Sequence, residues 1–418
     1  PTAPYRGAGR PEATLCIERI VDRAARQLGM DTVALRRRNM IPSSVMPFET
    51  GLAFRLDSGE FEKTMDMAID LADWNSRESR AADAASRGRL HGVGIAYAVE
   101  IAGGPQDSPL KESAELRFDA TGHATLFLGT HSHGQGHETA FRQLAHSFLG
   151  LSPGQINIQF GDTAIVTQGV GTFGSRSVGI GGAALEQAAK KIIEMARPLA
   201  AEMLEVSETD VDFLEGHFLV GGTDYRVSLQ EVAAHAFKTP TAAAGSVAGL
   251  AAHVMAAPDN CTFPNACHIC EVEIESDTGQ VQLTRYAVVE DVGSVLNPLL
   301  LEGQIHGGVA QGVGQVLCEA ITFDPSSGQL ISGSFMDYCL PRADDLPMIT
   351  LRSHEVPSKN TPFGIKGAGE AGTVGGMAAM SNAVFDALYK TGVTNFDMPA
   401  TAERVWRAIH RKHEKATP

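Results

Sequence analysis

The chain has 418 residues, 34 basic and 49 acidic, with a formal net charge of -15. That length predicts two or three domains with a sizeable core, and the acidic balance excludes a general nucleic-acid footprint. No apolar run approaches the ~20 residues that a membrane-spanning helix requires, so no membrane span is expected.

The opening Pro1-Thr2-Ala3-Pro4-Tyr5-Arg6 lacks an initiator methionine and a signal-peptide pattern, and reads as the inside of a longer polypeptide or as a chain cut from one. Apolar positions Ala13, Cys16, Ile17, Ile20, Ala24 and Leu28 predict a helix from Arg10 to Leu28, stopped by Gly29. Asp31 caps a second helix, Thr32 to Asn39, which ends at Ile41-Pro42. Residues 43–59 read as loop, Phe61 to Trp74 as an amphipathic helix, and the polar stretch Asn75 to Arg89 as a boundary.

Alternation at Val93, Ile95, Tyr97 and Val99, then at Ala114, Leu116 and Phe118, predicts strands. Asp119-Ala120-Thr121-Gly122 turns the second into a strand at Ala124 to Leu128. A helix at His137 to Leu149, a strand at Ile156 to Phe160 and a long helix at Gly182 to Val206 follow. The Gly/Ala-rich stretch 240–252 reads as a linker. A second hairpin joins Cys267 to Ile274 with Val281 to Val289, and helices follow at Pro298 to Leu317, Gly376 to Leu388 and Thr401 to Lys415. Strands and helices interleave without a strict repeat, so the expected class is α+β with mixed α/β subdomains. The expected divisions are a helical segment 1–80 and α/β units 90–250 and 251–418.

Six cysteines (Cys16, Cys261, Cys267, Cys270, Cys318, Cys339) make no disulfide framework. Reduced thiols in a cytoplasmic setting are expected, or a periplasmic one for an exported complex. Cys261, Cys267 and Cys270 miss the plant-type iron–sulfur spacing, and Cys267 and Cys270 face opposite sides of their strand. His131, His133, His137 and Glu138 form none of the tight zinc signatures.

Glycine, 44 residues, exceeds the usual ~7%. It concentrates in Arg6-Gly7-Ala8-Gly9 and in residues 129–136, 169–182 and 364–376. Several of these runs precede predicted helices, whose free N–H groups and dipole suit an anion. Gly174-Ser175-Arg176-Ser177 adds hydroxyls and a guanidinium. None has the phosphate-loop spacing or the dinucleotide fingerprint. A single loop of this kind is most simply a turn, but four together point to a large, phosphate-bearing cofactor. Glu370 stands alone among small residues in Lys366-Gly367-Ala368-Gly369-Glu370-Ala371-Gly372-Thr373. Burial would raise its pKa and suit a general base. The plainer reading is a helix-terminus or salt-bridged glutamate.

These segments together resemble the molybdopterin-binding subunit of the xanthine dehydrogenase and aldehyde oxidase family. The motifs are Tyr5 to Glu12, Gly134-Gln135-Gly136-His137-Glu138-Thr139, Gly171 to Ser177, Asp291-Val292-Gly293 through Asn297-Pro298, Gln304 to Gly314, and Gly367 to Thr373. The resemblance covers essentially the whole chain, but only the C-terminal half of the usual large subunit. It implies molybdenum held by molybdopterin, in bacterial members often the cytosine dinucleotide form. It implies hydroxylation of an aldehyde or N-heteroaromatic substrate with oxygen from water, and Glu370 as the base. Two electrons then leave through [2Fe-2S] clusters and FAD on partner subunits, and a second chain would carry the N-terminal half. Arg6 and Gly7 would lie near molybdenum, with Gln304 and Gly369 also at the cofactor. Gln135, Gly136 and His137 match one phosphate loop, and Gly174, Ser175, Arg176 and Ser177 a second. Gln311 matches a glutamine beside the metal ligands. Gly7 replaces the copper-binding cysteine of carbon monoxide dehydrogenases, and Ala8 the phenylalanine of purine-oxidising members. The alternative is a non-catalytic paralogue or assembly scaffold that keeps the fold.

Overall fold

Alternating apolar residues build two four-stranded sheets, and the periodic segments between them supply the helices that cover them. The computed structural model describes residues 3–105, 110–238 and 249–410. Helices α1 (Arg10–Leu28) and α2 (Thr32–Asn39) occupy the predicted spans. Asp31 caps α2, its Oδ1 accepting the Val33 and Ala34 N–H groups at 2.9 Å. The 43–59 stretch is loop apart from the short ribbon of β1 (Phe48–Glu49) and β2 (Arg55–Leu56). Next come α3 (Phe61–Leu71) and α4 (Arg77–Ser86), so most of the polar stretch read as a boundary is a helix. Ion pairs, not an apolar stripe, hold α4: Arg80 Nη2 meets Glu271 Oε1 at 2.6 Å.

The chain continues through β3 (Arg89–Val99), β4 (Glu112–Phe118), β5 (Ala124–Leu128), α5 (His137–Leu149), β6 (Ile156–Gln159) and α6 (Ser177–Leu204). A small three-stranded sheet of β7 (Val211–Leu214), β8 (His217–Val220) and β9 (Arg226–Ser228) leads to α7 (Leu229–Lys238), then β10 (Ala251–Ala256). The first large sheet has the order β10-β4-β5-β6, with β5 and β6 parallel across α5. Its core joins Leu116, Leu126 and Leu128 to Phe141, Leu144 and Leu185 of α5 and α6. Helix α6 starts at Ser177, ahead of the predicted Gly182, although glycine costs a helix ~1 kcal/mol relative to alanine. Gly181 and Gly182 face Phe141 and Leu144, and a Cβ there would lie 3.0 and 3.4 Å from them. The glycines let α5 and α6 close together. Of the stretch read as a linker, 240–248 lie outside the described residues, and its end enters a strand, Ala251–Ala256.

The second sheet has the order β13-β12-β11-β3, from β11 (Asn265–Glu275), β12 (Val281–Asp291) and β13 (Ile349–Ser353). Thus β3 pairs with β11, residue for residue from Val99–Asn265 to Arg89–Glu275, although the sequence grouped it with the first unit. Cys267 and Cys270 are buried in different cores, on opposite faces as expected, and no disulfide forms among the described residues. Helices α8 (Pro298–Leu317) and α9 (Ala371–Tyr389) cover one face, and α10 (Ala402–His410) follows, with the rest of its predicted span outside the described residues.

Helix α9 also begins earlier than predicted, at Ala371, because its glycines are contact points. A Cβ on Gly308 of α8 would sit 2.9 Å from Gly372 Cα. One on Gly94 of β3 would run into the Ala379 carbonyl of α9, and one on Gly92 into that of Ala383. Helix and sheet meet backbone to backbone, and the residue delivered to the start of α9 is Glu370.

Candidate active site

Glu370 is only 8% exposed, and its partners come from three distant parts of the chain. Its Oε1 accepts the Gly7 backbone N–H at 2.9 Å. Its Oε2 accepts from Arg10 Nη2 at 2.9 Å and Ser175 Oγ at 3.0 Å. Its own N–H donates back to Ser175 Oγ at 3.1 Å. The sequence reading expected burial to raise this carboxyl. Burial does push it up, but the hydrogen bond shared with Glu100, the Gly7 N–H, the Arg10 charge and Ser175 outweigh that and hold it below its ordinary value. Glu370 is therefore ionised at neutral pH.

The loop before Glu370 is pinned at several points. Lys366 Nζ meets Asp291 Oδ2 at 2.7 Å, both side chains wholly buried, and Lys366 N–H donates to the Val292 carbonyl at 2.8 Å. Gly367 packs so tightly on the Ser175 carbonyl that no Cβ would fit. Arg6 Nε donates to the Gly369 carbonyl at 2.7 Å and Nη2 to the Gln304 carbonyl at 2.8 Å. Four of the predicted residues, Arg6, Gly7, Ser175 and Gly369, thus surround Glu370, with Gln304 one step behind.

Two residues at this centre escaped the sequence reading. The sequence marks Arg10 as a helix start and a member of the Tyr5 to Glu12 motif, with no role of its own. Glu100 follows β3, is 2% exposed, and places Oε1 3.1 Å from Ser175 Oγ. Burial and the neighbouring Glu370 carboxylate push its carboxyl well above the usual range. The available signal was a single acid closing an apolar strand, Tyr97-Ala98-Val99-Glu100-Ile101.

Hydroxyls join the other two glycine-rich loops. Thr130 Oγ1 lies 2.8 Å from Thr172 Oγ1 and donates to Ser177 Oγ at 2.9 Å. Gly136, at φ 77, precedes α5 and rests on Leu300 at the start of α8. Gln135 folds back, its Oε1 accepting the His133 N–H. His137 is buried and pushed down to about 4, by burial first and then by His133 and His131, so it is neutral with Nδ1 unpartnered. Gly174 accepts the Gly103 N–H on its carbonyl at 2.9 Å.

One expected site residue, Arg176, sits differently. The Arg176 guanidinium, 1% exposed, turns inward to Glu112 and to the carbonyls of Gly171, Leu110 and Lys111. It shapes the loop, with no free face presented by the guanidinium. Gln311 lies two turns along α8 from Gln304, its Oε1 buried without a partner.

Helices α5, α6 and α9 all begin without a side-chain cap, at the three loops just described. First-turn N–H groups lacking a cap are a ready anion site. Buried polar atoms Glu100 Oε2, His137 Nδ1 and Gln311 Oε1 also lack partners. The residues present therefore fit a group carrying phosphate and several hydrogen-bonding edges. Among the described residues, no cluster of three or more His, Cys, Asp or Glu could hold a metal ion.

A model of the molybdopterin cofactor-binding domain matches residues 67–347, and a second of the same description matches residues 1–40. The chain is 36% identical over 97% of its length to the carbon monoxide dehydrogenase large chain of Hydrogenophaga pseudoflava, covering 51% of that protein. It is 34% identical over 98% of its length to the nicotine 6-hydroxylase large subunit of Paenarthrobacter nicotinovorans, again covering 51%. Among solved structures, quinoline 2-oxidoreductase from Pseudomonas putida 86 superposes with a TM-score of 0.89 at 33% identity, over 98% of this chain and 53% of that one. The chain thus spans about half the length of the curated relatives it matches. Domain models, relatives and superposition agree with the loop motifs: the chain belongs to the molybdopterin cofactor-binding domain family, within the molybdopterin-binding subunits of the xanthine oxidase family.

Proposed function

We propose that this chain is the catalytic molybdopterin-binding part of a molybdenum hydroxylase that hydroxylates an aldehyde or an N-heteroaromatic ring with oxygen from water. The observation that carries the reading is Glu370, an ionised carboxylate oriented by Gly7, Arg10 and Ser175 where uncapped helix starts converge. When bound, the molybdenum–molybdopterin group supplies Lewis acidity and takes up the two electrons. Oε1 of Glu370 has one partner where Oε2 has two, so it has the freer lone pairs and takes the proton. Arg6 keeps the base in place through the carbonyls of Gly369 and Gln304. The starts of α5 and α6, with Gly136, His137 and Ser177, hold phosphate, and two such starts suit the cytosine dinucleotide form. Gln311 is the candidate for a polar contact to the same group.

Two positions narrow the substrate. Gly7 has φ 103, and a Cβ there would clash with Pro11, so a cysteine would not fit as the backbone stands; this weighs against carbon monoxide. Ala8 offers no ring to sandwich a flat substrate. Electrons would leave to [2Fe-2S] and FAD subunits. The N-terminal half, on a second chain or a preceding segment, would close the pocket. Exposed apolar side chains such as Phe335, Met336 and Met348, at 83%, 92% and 87%, support such a covering partner.

The purified complex should contain molybdenum and phosphate in stoichiometric amounts, and finding neither would overturn the reading. Glu370→Gln should retain both while turnover falls by roughly 10²–10⁴-fold. A near-parental rate would remove Glu370 from the role of base.

A further inference from the structure

The reaction proposed above uses one carboxylate, yet two lie together at its centre. Glu100 is 2% exposed. Its Oε1 lies 3.1 Å from Ser175 Oγ and 3.7 Å from Arg10 Nη2, and its Oε2 has no hydrogen-bond partner. Ser175 Oγ also lies 3.0 Å from Glu370 Oε2 and accepts the Glu370 N–H at 3.1 Å.

Counting protons settles how these contacts can coexist. A serine hydroxyl donates once and accepts twice. With both acids ionised, Ser175 would face two carboxylate oxygens with one proton, and one close oxygen pair would have none between them. With a proton on Glu100, every contact is satisfied. Glu100 donates to Ser175 Oγ, the Glu370 N–H fills the second lone pair, and Ser175 donates to Glu370 Oε2. The proton belongs on Glu100 because Glu370 alone has a backbone donor and a guanidinium at 2.9 Å. Two buried acids this close do not both ionise readily.

We propose that Glu100 is a positioning residue that carries a proton while Glu370 is ionised, the two carboxyls sharing a single negative charge through Ser175 Oγ. The donor chain from Glu100 through Ser175 then fixes Glu370 Oε2 and leaves Oε1 to act. The charged groups facing the pair are Arg10 from α1 and Arg6 from the segment before it. Burial and the Glu370 charge both favour the neutral form of Glu100. Ionising Glu100 at alkaline pH would break the donor chain and put a second charge beside the base.

The test uses the intact native complex carrying Glu100→Gln, whose amide keeps the shape and still donates to Ser175. Infrared difference spectra against the parent at neutral pH should lose the carbonyl stretch of one buried protonated carboxyl, with molybdenum content unchanged. The alkaline fall of kcat should disappear in the variant, without a change in KM. A parent lacking that band, or a variant that keeps both the band and the alkaline fall, overturns the proposal. If the variant does not assemble, the parent alone decides: its band must survive well above the ordinary carboxylate range, and a band titrating with ordinary carboxylates is fatal. The role of Glu100 rests on Glu370 being the base, but the infrared result stands apart from it. Unimpaired turnover in Glu370→Gln would remove the base while leaving the shared proton as found.

Discussion

Arg6 Nε donates to the carbonyl oxygen of Gly369 at 2.7 Å, closing a contact between residues 363 apart in the sequence. The same guanidinium reaches the Gln304 carbonyl, so one side chain clasps the loop of Glu370 to the first turns of α8. Arg6→Lys keeps the charge but loses the two-pronged geometry. We expect kcat/KM to fall roughly 10-fold, the effect of about 1–2 kcal/mol of lost positioning. Steady-state kinetics with unchanged molybdenum content would show it, and parental kinetics would refute the clasp.

Arg10 bears on the acidity of Glu370, the proposed base, from outside the loop. Its guanidinium is one of the influences that hold Glu370 below its ordinary value. Arg10→Gln removes that influence, so Glu370 should take up a proton at a higher pH than in the parent. Turnover should then be lost earlier as pH falls, and the acid limb of kcat/KM should move upward. An acid limb that stays in place would show that Arg10 does not tune the base.

The Lys366–Asp291 pair is wholly buried and anchors the loop from below. Asp291 also accepts from Asn265 Nδ2 at 2.8 Å and from the Gly293 N–H at 2.9 Å. Lys366→Met would strand a buried carboxylate, a loss of about 3–5 kcal/mol. Lys366→Met combined with Asp291→Asn should recover part of it. Urea unfolding of the complex would measure both, and a single variant as stable as the parent would contradict the argument.

Glu290 offers a pH-dependent stability test. It is fully buried with both carboxylate oxygens unpartnered, 3.6 Å from His268. Burial, then Asp291, pushes it up to about 8, while burial pushes His268 down to about 3. The unfolded chain ionises Glu290 at an ordinary carboxylate pKa and the folded chain does not. This contribution is therefore fully present below the unfolded value and is lost as pH rises through about 8. Glu290→Gln should flatten the fall in melting temperature across this range, from about pH 5 to 8. A variant with the parental slope would exclude Glu290 as its source.

Much of this fold is legible in the sequence because its signals are local. The helices α1, α2, α5 and α8 start and stop where apolar spacing, Asp31 and the flanking glycines say. The misplacements share one cause. Helices α6 and α9 start early because Gly179 to Gly182 and Gly372 to Gly376 serve tertiary packing, which a propensity scale counts against a helix. Glu370 stood out through its small neighbours, but the direction of its titration did not. Arg10, which helps to set it, lies 360 residues away in sequence. Arg176 looked like a ligand for phosphate because its partner Glu112 sits 64 residues off, inside β4. For Glu100 the only local signal is a single acid at the end of an apolar strand, and its role needs the fold that brings Ser175 to it.

The seat of α9 on β3 has a consequence for how such a protein could change. At Gly92 and Gly94 no side chain of β3 stands between strand and helix that could be trimmed or enlarged. The helix can neither slide nor roll, and the carboxylate at its head becomes a fixed datum. A lineage or a laboratory selection seeking a new substrate would have to redraw the pocket around that point, through the loops. Changes recovered in such a selection should therefore avoid the faces of β3 and α9 that touch.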